Sequence, residues 1–195
     1  MTLFFAMFLF SLTMSISPGP VNMVIISSGA SYGFRRTLPF VSGATIGFTL
    51  LLIVIGFGFY TVIEKHPLFF KYLNIAGSVF IIYVGYKIAS SQPELSLTKS
   101  KAPGFAQGFL LQWLNPKAWI ACASGVVLFS EPSNSISLMA FIIIYFLVCY
   151  LSLALWAVFG KNVSTLLNSI GRIRAFNLCM GVILIATAFY MLLAQ

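Results

Sequence analysis

The sequence predicts an all-α integral membrane protein with six transmembrane helices, arranged as two inverted three-helix repeats in which spans 1 and 4 are broken. Three observations carry that expectation. Sixty per cent of the residues are hydrophobic, 7% are charged and the mean hydropathy is +1.02, whereas roughly a quarter of a soluble domain is charged. At about 20 apolar residues per span, a chain of 195 residues forms one transmembrane domain over 1–195 and leaves no room for an enzymatic module. Finally, two proline-interrupted stretches, Ser17-Pro18-Gly19-Pro20-Val21-Asn22 and Asn115-Pro116-Lys117-Ala118-Trp119, sit inside apolar segments about half a chain apart. Proline removes a backbone donor, and the polar groups it frees are tolerated at membrane depth only against protein or a watery cavity.

Apolar runs bounded by turn residues and charges place the spans near 3–30 (broken at 18–20), 38–62, 68–89, 105–129 (broken at 115–117), 135–158 and 174–194. The first run has no basic residues before it and no small-residue cleavage pattern after it, so it reads as a retained helix and not a signal peptide. The polar stretch 91–103, with Pro93, Glu94, Lys99, Lys101 and Pro103, separates halves of about 1–90 and 104–195. One constant offset superposes Pro20 on Pro116, Ser28-Gly29 on Ser124-Gly125 and Gly85 on Gly181.

The net charge of +8 does not read as a nucleic-acid surface, because the basic residues form no dense run. They mark topology instead. Arg35, Arg36, Lys87, Lys99, Lys101, Lys161, Arg172 and Arg174 flank connections 1, 3 and 5, against Lys65 and Lys71 at connections 2 and 4. The positive-inside rule then puts the odd connections in the cytoplasm and both termini outside. Three spans per half give the two halves opposite polarity.

Lys117 lies about 18 Å into a hydrocarbon layer of about 30 Å when counted from Phe105. An ammonium there costs at least about 2.5–3.5 kcal/mol on insertion scales, so it needs a cavity or a partner. It either anchors a substrate carboxylate or exchanges protons, or it snorkels or is satisfied by carbonyls that Pro116 frees. Gln112 and Asn115, three residues apart, share a face beside it. Pro18, Gly19, Pro20 and Asn22 offer a second break and a new helix N-terminus, which favours an anionic group. Asn22 equally suits the role of satisfying the broken backbone. Facing each other, the two breaks could hold a zwitterion.

Gly43 and Gly47, in Gly43-Ala44-Thr45-Ile46-Gly47, form a small-residue pattern for close helix approach, and the pairs Asn74 with Gly77 and Asn177 with Gly181 read as interhelical contacts. The sequence contains no aspartate, and Glu64, Glu94 and Glu131 fall at span ends or in loops. Proton relays usually use intramembrane carboxylates or histidine; here Lys117, Glu131 or a tyrosine would have to serve. Cys122, Cys149 and Cys179 are scattered and His66 is peripheral, so no metal site and no cofactor is expected.

SPGPVN, GFRR, GATIG, NIAGSVFIIYVGYKI and GFLLQWLNPKAW together resemble the lysine exporter and homoserine/threonine exporter (LysE/RhtB) family of bacterial amino-acid exporters, over nearly the whole chain. The pairing of PGP in span 1 with NPKA in span 4 is the specific part, and GFRR, GATIGF and Asn177 are most similar to the cysteine/O-acetylserine exporter type. The resemblance implies a multi-pass inner-membrane exporter of small amino acids driven by the proton gradient, with lipid around it; the aromatic-rich surface permits a homodimer. It places functional positions at Pro18, Gly19, Pro20, Asn22, Asn115, Pro116 and Lys117. Many members carry an aspartate where this chain has Phe48, which argues against a cationic substrate. Rival readings are a cation or heavy-metal exporter, a thiol oxidoreductase using two of the cysteines, and a non-transporting scaffold subunit.

Overall fold

The structure is a computed structural model and describes residues 2–59, 67–90, 102–130, 135–166 and 170–193. Its helices are α1 (Thr2–Ile16), α2 (Pro20–Tyr32), α3 (Phe34–Val54), α4 (Pro67–Ala89), α5 (Phe105–Trp113), α6 (Pro116–Phe129), α7 (Ser135–Leu166) and α8 (Ile170–Leu193), and α3 ends in a π turn over Ile55–Phe59. Segments of α3, α4, α7 and α8 are each long and apolar enough to cross a membrane, and α1 with α2 forms an apolar pair bent by 61°, the geometry of a broken span or a re-entrant loop. The α5 helix has 9 residues and α6 has 14, so neither spans alone.

Both predicted breaks appear where proline demands them. Pro20 and Pro116 each open a new helix at its first turn, the one helical position where a missing N–H costs nothing. Two boundaries differ from the sequence reading. The second helix starts at Phe34, not near 38, because Gly33 at φ 81° turns the chain in one residue. Pro39 is then carried inside the helix, close to its start. The α7 helix runs on to Leu166, past the expected end at 158, carrying the exposed Lys161 beyond the apolar run. The linker 91–101 and the segments holding Lys65, His66, Glu64 and Glu131 lie outside the described residues.

Glycine sets the tightest helix crossings, as expected where lipid supplies no hydrophobic drive and close backbone packing must hold helices together. On α2 and α7, a Cβ on Gly29 would stand 2.6 Å from the Ala157 carbonyl oxygen, and Gly160 lies against the Ile26 backbone. On α3 and α5, Gly43 abuts the Phe105 carbonyl, Gly47 the backbone of Phe109, and Gly108 the Phe40 carbonyl. On α4 and α8, Gly85 and Gly181 face each other's carbonyls. Asn177 joins α8 to α2: its Oδ1 accepts from the Ser27 hydroxyl at 3.2 Å and its Nδ2 donates to Ser31 at 3.5 Å. The side chain of Asn74 lies outside the described residues.

These crossings fix the two ends of the bundle. Arg35 and Arg36 at the start of α3, Lys87 at the end of α4, Lys161 on α7, and Arg172 and Arg174 at the start of α8 share one end. Toward the opposite end an aromatic cluster closes the centre. Phe10 of α1 meets Phe129 of α6 edge-on at 5.6 Å, Phe129 meets Phe141 of α7 at 4.9 Å, and Tyr145 stacks on Phe48 at 4.3 Å.

Candidate functional site

The two breaks meet in the middle of the bundle, and Lys117 joins them. From the first turn of α6, its Nζ donates to the Ser17 carbonyl at 2.8 Å and to the Ser17 hydroxyl at 2.7 Å. The Pro18 carbonyl is a longer third acceptor at 3.4 Å. The acceptors are thus the carbonyls freed at the end of α1, in the other half of the chain, and not those freed by Pro116. A cation at a helix C-terminus also lies at the negative end of the helix dipole. Gly19 makes room for it: a Cβ there would stand 3.2 Å from Nζ and 3.4 Å from Cδ.

The remaining polar groups of both breaks can be traced. Asn22 Nδ2 donates to the Ser15 carbonyl at 3.0 Å, and Ser17 Oγ to the Met14 carbonyl at 3.1 Å, so the last turn of α1 is capped from α2 and from itself. At the second break, Asn115 N donates to Gln112 O at 3.2 Å and Trp119 Nε1 to Trp113 O at 2.7 Å. The Leu114 carbonyl nests against Gly77 of α4, where any side chain would collide with it.

The two new N-termini differ. Asn115 caps α6, its Oδ1 accepting from the Lys117 N–H at 3.2 Å. Gly19 caps α2 without a side-chain acceptor, and an α-helix gives its first N–H groups no internal partner. Val21 and Asn22, which carry such groups, line a cavity of about 40 Å³. The same cavity is walled by Ser15, Gln112, Lys117 and Tyr145. Ser15 Oγ is buried beside Tyr145 and Cys149, and the side chain of buried Gln112 makes no hydrogen bond among the described residues.

Of the residues expected from the sequence, Gly19, Asn22, Gln112, Asn115 and Lys117 converge on this cavity, while Pro18, Pro20 and Pro116 shape the breaks. Sequence reading missed Ser15 and Ser17; their only signal was two hydroxyls immediately before the Pro-Gly-Pro turn. Phe48 is buried against Tyr145 on the cavity wall. Cys122 and Cys149 are buried and Cys179 is exposed. No three histidine, cysteine or carboxylate side chains converge among the described residues.

Two proline breaks thus face each other across a half-buried cation. The profile of the LysE type translocator matches residues 12–195, and the chain belongs to that family: it is a membrane translocator and not an enzyme. Proteins named cysteine/O-acetylserine efflux protein in Escherichia coli and Shigella sonnei are 26% identical over 195 residues, covering 96% of each chain. One of the same name in Klebsiella pneumoniae is 28% identical over 116 residues, covering 60% of this chain and 59% of that protein. No solved structure matches.

Proposed function

We propose that this protein exports small neutral amino acids or their derivatives, such as cysteine, O-acetylserine or threonine, across the bacterial inner membrane by proton-coupled alternating access. The carrying observation is Lys117, whose ammonium is held by the Ser17 and Pro18 carbonyls beside the open N-terminus of α2. Family membership and the names of the relatives support amino-acid export. The buried Phe48–Tyr145 stack supplies no negative charge, which favours a neutral side chain over a cationic one.

The break site offers an amino acid both ends of its zwitterion. Carbonyls at the C-terminus of α1 suit an α-ammonium, and the N–H groups of Val21 and Asn22 suit a carboxylate. In the empty carrier the ammonium of Lys117 occupies the α-ammonium position. Substrate binding exchanges the two cations, and Lys117 turns to the incoming carboxylate. The cavity of about 40 Å³ has room for little more than one water, which fits an empty, contracted state.

The six-span inverted repeat belongs to the same proposal, with α5 and α6 together forming the fourth span and both termini outside. Exchanging the halves helix for helix maps the packing of α3 on α5 onto that of α7 on α1, and the α4–α8 pair onto itself. The reciprocal contact of Gly85 and Gly181 lies on the implied two-fold axis. Rocking one half against the other would open the aromatic cluster and close the basic end. The test is counterflow in proteoliposomes of labelled O-acetylserine, threonine and lysine, with and without an inward proton gradient. Gradient-stimulated flux of the first two and not of lysine is expected; flux of lysine alone would overturn the substrate class, and indifference to the gradient would overturn the coupling.

A further inference from the structure

A second cavity, of about 190 Å³ and larger than that at the breaks, lies between α2, α3, α4 and α5. It lies end to end with the break site. Successive turns line first one cavity and then the other: Val24 and Val21 on α2, Phe40 and Phe48 on α3, and the neighbours Leu111 and Gln112 on α5. Val24, Phe40 and Leu111 are almost fully buried and close the inner end of the larger space. Its other end reaches Lys87 and Pro103, at the basic end of the bundle.

By liquid share the space corresponds to about six waters, comparable with a small amino acid. Its polar lining presents both donors and acceptors, because Ser27 donates its hydroxyl hydrogen to Asn177 and Ser28 donates its own to Thr37, which itself donates to the Gly33 carbonyl; both serine oxygens keep free lone pairs. Lys87 Nζ sits 5.6 Å over the Tyr83 ring, and the described residues contain no carboxylate to pair with it. Gln107 has its Oε1 taken by the Gly104 N–H at 2.7 Å, which leaves its amide hydrogens to donate. Ser28 and Thr37 share one hydrogen bond at 2.9 Å, and Ser27 is committed to Asn177. An aromatic-walled space with an ammonium and an amide donor toward its mouth and serine oxygens as acceptors suits a compact zwitterion, its carboxylate on Lys87.

We propose that this cavity is a loading site for the amino-acid substrate, in which Lys87 takes the carboxylate before the Val24–Phe40–Leu111 wall opens toward the break site. The proposal rests on the export reading above, but the site binds without Lys117, and that separates the two. In a Cys179→Ser background the remaining native cysteines are buried, so Ser31→Cys, at an exposed lining position, reports on the cavity through its rate of maleimide labelling. O-acetylserine or threonine should slow labelling several-fold, equally with Lys117 intact and in Lys117→Ala. Lys87→Gln should abolish that protection and Lys87→Arg should keep it, with unprotected labelling rates unchanged as the control for folding. Protection by neither amino acid, protection lost with Lys117→Ala, or protection indifferent to Lys87→Gln would each overturn the loading site. Failure of the export reading would show separately, as absence of counterflow of either amino acid in the wild-type protein.

Discussion

Replacing Lys117 by methionine keeps most of the buried stem and removes the ammonium, and it separates function from stability. Two good charge-assisted hydrogen bonds disappear, those to the Ser17 carbonyl and hydroxyl at 2.8 and 2.7 Å; at about 1.5–3 kcal/mol each they contribute about 3–6 kcal/mol. Removing an ammonium from mid-membrane returns about 2.5–3.5 kcal/mol. The net destabilisation is therefore about 0–3 kcal/mol, small enough for the bundle to stay folded. Transport should nonetheless fail, because the exchange of cations at the α1 carbonyls has lost one partner. Thermal unfolding in detergent and counterflow in proteoliposomes read the two quantities on one preparation. A folded Lys117→Met protein that exports at the wild-type rate would refute the reasoning, and so would one that cannot be recovered folded.

Other substitutions probe the supports of the site. Asn115→Ala removes the cap of α6 and should cost about 0.5–2 kcal/mol of stability, read as a lower melting temperature with reduced flux. Gly181→Ala drives a methyl into the backbone around Gly85 and Ala89 and should destabilise by about 1–3 kcal/mol without altering which amino acid is preferred. Phe48→Asp breaks the stack on Tyr145 and adds a carboxylate to the cavity wall; competition assays should show lysine gaining ground against threonine.

The breaks were legible because proline writes its effect into local sequence. The acceptors of Lys117 were not legible, since Ser17 lies 100 positions away and only the antiparallel meeting of α1 and α6 brings it close. The nest that Gly77 makes for the Leu114 carbonyl was likewise hidden: a lone glycine and asparagine in α4 suggested a helix contact without its partner. Helix ends slipped where polar residues lie inside helices, as at Arg35 and Pro39 in α3 and Lys161 in α7. The second cavity left no mark in the sequence, because its lining comes from single residues on four helices.

The account turns on whether substrate takes the place of the Lys117 ammonium, and an experimental structure determined with O-acetylserine bound tests this most directly. The account predicts the ligand's ammonium on the Ser17 and Pro18 carbonyls, its carboxylate at the N–H groups of Val21 and Asn22, and Lys117 Nζ moved onto that carboxylate. A bound ligand at the breaks with Lys117 still on Ser17, or a ligand held away from both breaks, would contradict it.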